Sequence, residues 1–545
     1  MLALMQDRPL MISSLIEHAA AFHPQTEIVS RSIEGPIVRS NWLTIRNRSK
    51  KVANALHRLG VQFGDRVGTL ALNTNRHLEL WYGITGMGAV LHTVNPRLFP
   101  AQVEYIVNHA ENKALCFDIS FASLVESLAH KLPTVEKFVA MTDRAHMPDI
   151  KVPNLLCYEE LLEQESDEYE WPEFDEKTAS CLCYTSGTTG NPKGVLYSHR
   201  STVLHSLMDC TAEVFGIGAR DSVLLVVPMF HANAWGVPYS GAMCGAKLVM
   251  PGAKADGQSL YELMRNEGCT FTQAVPTVWQ MFFKYLDENP GLDCTKLKIN
   301  RISTGGSATS KPMIARLEKE FGATYIQAWG MTEVTSIGAI GNLLPKHENL
   351  SPEELLDVKL KQGRAVWGVE LKLVDDEGKK LPHDGKTLGH LYVRGPWITS
   401  GYFRGEGGQV LDKDGFFSTG DIATIDTDGY LVLVDRAKDV IKSGGEWISS
   451  IDLEAATLTH PAIAHAAVVG VLHAKWQERP LLLAIKREGF DCTREAIMDH
   501  LASRVAKWWL PDDVVFLEEF PLTATGKISK KDLRSTYKEH LMTKG

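Results

Sequence analysis

A loop rich in glycine and hydroxyl residues follows a short apolar stretch and ends near a lysine. It reads Tyr-Thr-Ser-Gly-Thr-Thr-Gly-Asn-Pro-Lys-Gly-Val over residues 184–195. Glycines let the backbone turn through positive φ and bring bare N–H groups against an anion, while hydroxyls add donors or reach a metal ion. Lys193 adds a positive charge. The composition predicts a phosphate-binding loop, although such a stretch is also typical of a solvated turn.

The spacing of this loop excludes the two common nucleotide-binding signatures. Pro192 stands five residues after Gly187, where the G-x-x-x-x-G-K-[ST] loop needs its second glycine, and no G-x-G-x-x-G occurs. The chain also lacks G-x-S-x-G and H-E-x-x-H, so serine hydrolases and zinc proteases are not indicated.

Four further motifs follow the loop and carry the charged groups that phosphate chemistry needs. They are Gln-Ala-Trp-Gly-Met-Thr-Glu at 327–333, Ser-Thr-Gly-Asp at 418–421, Asp-Arg-Ala-Lys-Asp at 435–439 and Pro-Leu-Thr-Ala-Thr-Gly-Lys at 521–527. Together with the loop, and in this order, they resemble the motifs of the adenylate-forming superfamily. That superfamily contains acyl-CoA synthetases, firefly luciferase and the adenylation domains of peptide synthetases. Several ordered matches over nearly the full length are far more specific than any single one.

The resemblance implies that the protein activates a carboxylic acid with ATP. A carboxylate oxygen would attack the α-phosphorus, giving an acyl-adenylate and pyrophosphate, and a thiol would then attack the carbonyl and release AMP. The expected cofactors are ATP, Mg²⁺ and coenzyme A. In-line displacement at phosphorus concentrates negative charge, so fixed cations and hydrogen-bond donors should provide most of the catalysis.

The resemblance also assigns individual roles in the first half-reaction. Lys527 would bridge the carboxylate and the α-phosphate. Glu333 would bind Mg²⁺ with a hydroxyl of Thr188 or Thr189, since magnesium prefers oxygen ligands and few protein carboxylates. The residues expected to contact ATP or coenzyme A are Thr185, Ser186, Gly187, Thr188, Thr189, Gly190, Lys193, Gly306, Ser307, Ala308, Ala328, Trp329, Gly330, Met331, Thr332, Asp421, Arg436, Lys438, Lys442, Gly444, Gly445, Glu446 and Lys527.

Within this set, the family pattern distributes the parts of the nucleotide. Trp329 stands where the family usually has tyrosine, on one face of the adenine, and an indole can still stack there. Residues 306–308 would line the opposite face. Asp421 would accept hydrogen bonds from both ribose hydroxyls, and the forked guanidinium of Arg436 would complete the ribose and phosphate contacts.

The second half-reaction should use a different arrangement of the C-terminal part. Lys438 matches the hinge about which family members rotate their small domain between half-reactions. Rotation would withdraw Lys527 and bring in residues 442–446, whose glycines would let the pantetheine chain pass.

The acid itself is expected near Pro-Met-Phe-His at 228–231, the acyl-pocket motif of the family. His231 would gate the pocket or bound the carbonyl as a catalytic residue, or it would be a core side chain. A large indole at Trp235 favours small to medium acyl groups, unless it too belongs to the core. Gly305 and Gly330 complete the expected substrate contacts.

Hydrophobic patterns predict the elements that must position these residues. A helix is expected from Trp42 to Gly60, a strand at 67–72, another helix ending near Gly86, and strands at 180–184 and 224–227. Alternating strands and helices indicate parallel sheets covered by helices.

The predicted fold is α/β, in two domains. Residues 1–435 would form a large domain of parallel, helix-covered sheets. Its last part, about 345–435, would be a β-rich subdomain similar to the small β-barrel that ends this domain in the family. Asp428-Gly429 marks a hairpin there. Residues 436–440 would be the hinge, and residues 441–545 a smaller, mobile α+β domain.

Bulk properties exclude several classes of protein. The chain has 545 residues, 44% of them hydrophobic, which argues against disorder, and its formal charge of −9 argues against general nucleic-acid binding. No apolar run reaches the length of a membrane span. The nine scattered cysteines contain no C-x-x-C pair, so reduced, buried thiols in a cytoplasmic protein are expected. A homodimer is a further expectation from the resemblance.

Three stretches look like those of bacterial medium-chain fatty-acid ligases and of ligases that activate 3-methylmercaptopropionate in dimethylsulfoniopropionate breakdown. They are residues 228–235, Gly-Gly-Glu-Trp-Ile-Ser at 444–449 and Lys-Trp-Trp-Leu-Pro at 507–511. An acyl-CoA ligase is therefore predicted. Two alternatives stay open: an adenylating enzyme with another acceptor, and a non-catalytic binding relative.

Overall fold

Two compact units make up the chain. The structure is a computed structural model and describes residues 4–185, 191–444, 446–522 and 528–542, with only the backbone of Glu446. The first unit contains the described residues up to 370 together with 394–411. The second unit contains residues 371–393 and the described residues from 412 onward.

The first unit alternates strands and helices along most of its length. Its strands are β1 (Glu27–Arg31), β2 (Ile37–Asn41), β3 (Arg66–Leu70), β4 (Val90–Thr93), β5 (Asn112–Phe117), β6 (Lys137–Ala140), β7 (Leu155–Cys157), β8 (Ala179–Tyr184), β9 (Gly194–Ser198), β10 (Ser222–Leu224), β11 (Lys247–Met250), β12 (Phe271–Ala274), β13 (Arg301–Thr304), β14 (Thr324–Trp329), β15 (Ala339–Ile340) and β16 (Gly363–Ala365). Its helices are α1 (Ile12–Phe22), α2 (Trp42–Arg58), α3 (Asn75–Gly86), α4 (Pro100–His109), α5 (Ala122–Leu128), α6 (Tyr158–Glu163), α7 (His199–Cys210), α8 (Val237–Cys244), α9 (Gly257–Glu267), α10 (Pro276–Glu288), α11 (Lys311–Phe321) and α12 (Pro352–Leu360).

These strands form two sheets. One has the order β7-β6-β5-β3-β4-β8-β9 and is parallel except for the final β8–β9 pair. The other runs β16-β15-β14-β13-β12-β10-β11-β1-β2; it is parallel from β14 to β1 and antiparallel at both ends. The predicted α/β architecture is confirmed, but the sheets are mixed rather than wholly parallel.

Apolar helix faces cover the second of these sheets. Trp279 and Phe282 of α10 pack edge to face, and Trp279 also meets Phe321 of α11. All three side chains are buried in one core cluster with residues of β10, β13 and β14. Burial of these large aromatic rings contributes strongly to stability because each removes much apolar surface from water.

The second unit contains strands of two sheets. Its elements are β17 (Glu370–Val374), β18 (Gly389–Arg394), β19 (Phe417–Ile425), β20 (Tyr430–Arg436), β21 (Ile441–Ser443), β22 (Glu446–Ile448), α13 (Ser450–Leu458), β23 (Ile463–His473), β24 (Gln477–Lys486), α14 (Arg494–Ala502), β25 (Asp513–Phe516) and α15 (Lys530–Tyr537). Neighbours in one sheet are β17-β18-β19-β20; the other has the order β22-β21-β24-β23, with β25 parallel to β24.

Alternation along β23 and β24 gives this unit a core on each side of its second sheet. Val468 and Leu482 belong to the cluster that includes α13 and α14, whereas Val469 and Leu481 belong to the cluster that includes Leu533 of α15. Successive residues of a strand point to opposite faces, so each strand serves both cores.

Most of the elements predicted individually are confirmed, with one correction. The helices at α2 and α3, the strands at β3 and β8, and the hairpin joining β19 to β20 lie where they were expected. The strand predicted at 224–227 ends instead at Leu224. Beyond it the amide of Asn73 donates to the carbonyls of Leu225 and Val227 (2.7 and 2.9 Å), so these groups bond to a side chain rather than to a strand.

The region expected to be β-rich begins with a helix. Residues 352–360 form α12, and strands follow from Gly363 onward. The small barrel, the boundary at residue 435 and the hinge at 436–440 stay predictions. None of the helices within the described residues combines the length and apolar composition needed to cross a bilayer.

Candidate active site

Several residues predicted for the site lie outside the described residues. They are Ser186, Gly187, Thr188, Thr189, Gly190, Gly445 and Lys527. The described part of the candidate site consists of the residues that flank the predicted phosphate loop and those of the other motifs.

The two ends of the phosphate loop are joined at a hydrogen-bonded neck. Thr185 donates its N–H to the carbonyl of Lys193 (2.9 Å), and Lys193 donates its N–H to the Thr185 hydroxyl (3.1 Å). The neck continues the antiparallel pairing of Tyr184 with Gly194 at the ends of β8 and β9. Pairing of β8 with β9 thus fixes the distance between Thr185 and Lys193, and the Thr185 hydroxyl accepts the hydrogen bond of the Lys193 N–H.

Glu333 lies in a short turn, residues 332–334, just after β14. Its side chain is only 7% exposed. The Tyr402 hydroxyl donates to Glu333 Oε1 (2.7 Å), and the N–H of Thr399 donates to the Glu333 carbonyl (2.8 Å). Tyr197 donates its hydroxyl to the carbonyl of Thr332 (2.6 Å). The expected metal ligand is therefore a buried carboxylate on a firmly held turn.

Close backbone packing explains the small residue that precedes this turn. A Cβ atom added to Gly330 would lie 1.3 Å from the carbonyl oxygen of Ser336, so only glycine fits. The Trp329 indole packs against Gly338, whose added Cβ would lie 2.5 Å from the ring. The indole is only 6% exposed, while Gly330 and Met331 beside it are half-buried and Ala328 is buried. Gly330 and Met331 are thus the partly exposed residues of this motif.

The donor groups present fit Mg²⁺ with ATP rather than a fully protein-bound metal. Among the residues that the structure describes, no group of three or more His, Cys, Asp or Glu side chains could hold a metal ion. Glu333 offers one carboxylate, a hard oxygen ligand, and Mg²⁺ commonly keeps waters and substrate phosphates with only one or two carboxylates. A magnesium ion bound with the triphosphate matches that donor set.

Trp235 meets the glycines that follow β13. A Cβ atom on Gly305 would lie 3.3 Å from the Trp235 indole and 2.9 Å from the carbonyl oxygen of Ala328. Gly306 has φ +78°, and a Cβ atom added to it would lie 3.8 Å from the same indole. Gly306, Ser307 and Ala308 are exposed. The structure therefore brings the expected acyl wall and the expected adenine face together at the end of one strand.

The backbone that bears Trp235 is left-handed. Ala232, Asn233, Ala234 and Trp235 have φ between 42° and 55°, and Gly236 has φ +82°. Left-handed helical conformation costs about 1–2 kcal/mol for each non-glycine residue, so surrounding contacts must hold this turn.

Strand β8 provides these contacts through its cysteines. The thiols of Cys181 and Cys183 donate to the side-chain oxygen of Asn233 (3.1 and 3.3 Å), and Gln273 donates to the carbonyl of Ala234 (3.4 Å). Both cysteines are buried, and all nine in the chain are free, as expected for reduced thiols. Strand β8, which precedes the predicted phosphate loop, thus also anchors the turn that bears Trp235.

His231 is not a core side chain. It is exposed, and its N–H donates to the carbonyl of Pro228 (3.0 Å). Of the two interpretations made from the sequence, the structure excludes the buried one. A contact with the acid stays a prediction.

In the second unit, Asp421 and Arg436 face each other across β19 and β20. The two residues are direct partners in the antiparallel register, and Arg436 Nη1 lies 3.0 Å from Asp421 Oδ1. The Asp421 side chain is 5% exposed and that of Arg436 is 48% exposed. Thr419 positions both, because its hydroxyl accepts from the Asp421 N–H and its carbonyl accepts from Arg436. In this arrangement the Asp421 carboxylate could accept hydrogen bonds from ribose hydroxyls while the exposed Arg436 guanidinium binds a phosphate.

We expect Asp421→Asn to raise the KM for ATP by about 10- to 100-fold, the size of losing hydrogen bonds to a charged group. The KM for coenzyme A should change little. Initial rates with each substrate varied in turn measure both constants. Asp412→Asn is the matched control, because it removes a carboxylate from an ion pair with Lys372 in the same unit. An unchanged KM for ATP would contradict the ribose role.

The residues assigned to the second half-reaction lie on and beside β21. Lys438 and Lys442 are exposed, and Gly444 has φ +61°. The N–H of Gly444 donates to the carbonyl of Trp476 (2.9 Å), and an added Cβ would lie 2.7 Å from the Trp476 ring. A partly exposed indole therefore packs directly on the glycine that was expected to admit pantetheine.

Sequence reasoning missed several residues that shape the site. Tyr402, Tyr197 and Asn233 act through contacts with residues distant in the chain, and Trp476 lies in a loop without a motif. A Gly-Tyr pair after the strand at 389–394 was the one available signal for Tyr402.

Comparison with known proteins identifies relatives over the whole chain. A family model described as AMP-binding enzyme matches residues 16–403, and one described as AMP-binding enzyme C-terminal domain matches residues 452–527. A 3-methylmercaptopropionyl-CoA ligase of Ruegeria lacuscaerulensis is 49% identical, covering 99% of this chain and 100% of the relative. A medium-chain-fatty-acid–CoA ligase of Ectopseudomonas oleovorans is 46% identical, covering 99% and 98%.

A solved structure is similar over the same extent. The crystal structure of an anthranilate CoA ligase in complex with anthranoyl-AMP has a TM-score of 0.85 and 25% identity, covering 99% of this chain and 100% of that chain.

Proposed function

Since the chain belongs to the AMP-binding enzyme family of adenylate-forming ligases, we propose that it joins a short or medium-chain carboxylic acid to coenzyme A. The family resemblance inferred from the motifs is confirmed. The protein is an acid–thiol ligase that uses ATP, Mg²⁺ and coenzyme A and forms an acyl-adenylate. The proposal concerns which acid it takes and which residues do the work.

The observation that supports this pocket best is the packing of Trp235 on Gly305. The buried indole lies against Gly305 at the end of β13, directly before the exposed residues 306–308. A carboxylate between this wall and residues 306–308 would lie next to the predicted adenine face. An indole there limits the depth of an apolar pocket, which favours acids of short or medium length.

The chain's own residues divide the chemistry of adenylation. The neck at Thr185 and Lys193 presents the phosphate loop, Asp421 and Arg436 hold the ribose, and Lys527 neutralises charge as the carboxylate oxygen attacks the α-phosphorus. Mg²⁺ bound with the triphosphate supplies electrostatic stabilisation of the departing pyrophosphate. Fixed charges of this kind act strongly because they need no reorganisation during the reaction.

Thioester formation requires a different set of groups. The thiol of coenzyme A attacks the acyl carbonyl and AMP departs as the leaving group. We assign the approach of the thiol to residues 442–446 and the change of arrangement to a hinge at Lys438. The assignment is supported by the family motif, whereas the left-handed φ of Gly444 and the Trp476 ring packed on it already require a glycine at this position.

Two kinds of acid are proposed as substrates. The relatives named above are a ligase for 3-methylmercaptopropionate and one for medium-chain fatty acids. A methylthio chain is almost isosteric with a short alkyl chain, and apolar pockets discriminate single methylenes by only ~1–3 kcal/mol. We therefore propose both as substrates of this chain.

A panel of acids tests the proposal. Acetate through dodecanoate, 3-methylmercaptopropionate and benzoate are assayed with and without coenzyme A, and pyrophosphate and thioester are measured separately. We expect kcat/KM to peak at medium chains or at the methylthio acid, with a thioester that requires coenzyme A. Pyrophosphate without thioester would favour another acceptor, and neither product would indicate a non-catalytic relative.

We further propose that the enzyme works in the cytoplasm, where ATP and coenzyme A are available and thiols stay reduced. The homodimer expected from the resemblance stays a prediction, which size-exclusion chromatography with light scattering tests.

A further inference from the structure

Residues 397–402 lie against the turn that bears Glu333. The Thr335 hydroxyl donates to the carbonyl of Trp397 (2.6 Å), and the Trp397 indole N–H donates to the carbonyl of Ile337 (3.0 Å). The N–H of Thr399 donates to the Glu333 carbonyl (2.8 Å). Trp397 is 2% exposed. These three bonds hold the backbone of the turn but leave the Glu333 carboxylate to be positioned by something else.

Tyr402 supplies that remaining contact. Its hydroxyl donates to Glu333 Oε1 at 2.7 Å, a short hydrogen bond to a charged acceptor.

The ring of Tyr402 has a second partner on the side of the phosphate loop. Lys193 Nζ lies 4.8 Å from the ring centroid, within the range of a cation–π interaction. A Cβ atom on Gly407 would lie 3.0 Å from the same Nζ atom, so the ammonium group is enclosed on that side as well. One phenol thus contacts both the lysine of the phosphate loop and the acidic residue expected to bind Mg²⁺.

We propose that Tyr402 is a positioning residue for the first half-reaction, which fixes the Glu333 carboxylate for Mg²⁺ and holds Lys193 beside the phosphates. This inference rests on the assignment of Glu333 as the metal ligand. With Oε1 engaged by the phenol, the carboxylate keeps one orientation and presents its second oxygen to the incoming ion. Partners that orient a metal ligand in this way typically change metal affinity by about 10- to 100-fold when they are removed.

Tyr402→Phe separates the two contacts of this side chain. The variant keeps the ring beneath Lys193 and loses only the hydroxyl that reaches Glu333. Binding of Mn²⁺ to the full-length protein saturated with α,β-methylene-ATP is followed by electron paramagnetic resonance, a readout independent of turnover. We expect the dissociation constant for Mn²⁺ to rise about 10-fold, the lower end of the usual range.

Two further variants complete the test. Glu333→Gln should weaken Mn²⁺ binding more than Tyr402→Phe does, and the double variant should bind no more weakly than Glu333→Gln alone, because the hydroxyl acts through that carboxylate. Tyr158→Phe is the matched control, since it loses a bond of the same length from a tyrosine to Glu79. Its Mn²⁺ affinity should equal that of the wild type.

The outcomes separate this inference from the assignment of Glu333. Wild-type Mn²⁺ affinity in Tyr402→Phe, with weak binding in Glu333→Gln, would overturn the role of Tyr402 and leave the metal ligand in place. Wild-type affinity in Glu333→Gln would overturn both. An additive loss in the double variant would show that Tyr402 acts independently of Glu333 and would also overturn the inference. Melting temperatures within a few degrees of the wild type establish that each variant is folded.

Discussion

Lys527→Ala should slow adenylation by about 10²–10³-fold, the usual effect of removing one preorganised charge-stabilising group. The same variant should form thioester from supplied acyl-adenylate at nearly the wild-type rate. The reason is that, in the proposed assignment, Lys527 neutralises charge at the α-phosphate only while the acid attacks ATP. Release of pyrophosphate measures the first half-reaction, and chromatography of the thioester formed from synthetic acyl-adenylate and coenzyme A measures the second.

A neighbouring lysine provides the control. Lys531 is exposed in the first turn of α15, and Lys531→Ala removes the same charge a few residues away. Both half-reactions should proceed normally in that variant. Equal losses in the two half-reactions of Lys527→Ala would contradict the use of two arrangements of the C-terminal part.

Trp235→Ala should shift the enzyme toward longer acids. We expect the ratio of kcat/KM for dodecanoate to that for butyrate to rise about 10²-fold, because burying each additional CH₂ contributes ~0.8 kcal/mol and several would fit the vacated space. The substitution also weakens contact with short acids. Competition between the two acids, resolved by chromatography of their thioesters, gives the ratio directly.

The left-handed backbone at this position requires a second variant. Trp235→Phe keeps a planar ring at φ +55° and should give an intermediate ratio. The indole is buried with Val227 and Ala232, so Trp235→Ala should lower the melting temperature more than Trp235→Phe does, while the contacts of Asn233 still hold the turn. A chain-length profile that is the same in all three proteins would remove Trp235 from the pocket.

Local patterns were sufficient for much of the fold. Strand β8, helices α2 and α3 and the Asp428-Gly429 hairpin each depend on neighbours in the sequence: apolar period, terminal residues or turn chemistry. The predicted end of the strand at 224–227 was wrong because it depends on a residue distant in the sequence. Asn73, about 150 residues away in the chain, donates to the carbonyls of Leu225 and Val227, which a neighbouring strand would otherwise bond. Apolar character alone does not reveal such a competitor.

The same division separates the predicted parts of the site from those that only the folded chain reveals. Glu333, Asp421 and Arg436 could be proposed from the sequence because each stands in a short motif that resembles one of the adenylate-forming superfamily. The left-handed turn under Trp235 and the bond from Tyr402 to Glu333 were not identifiable. Each depends on side chains that the sheets bring together from distant segments, and their energies arise only when burial has excluded water from both partners.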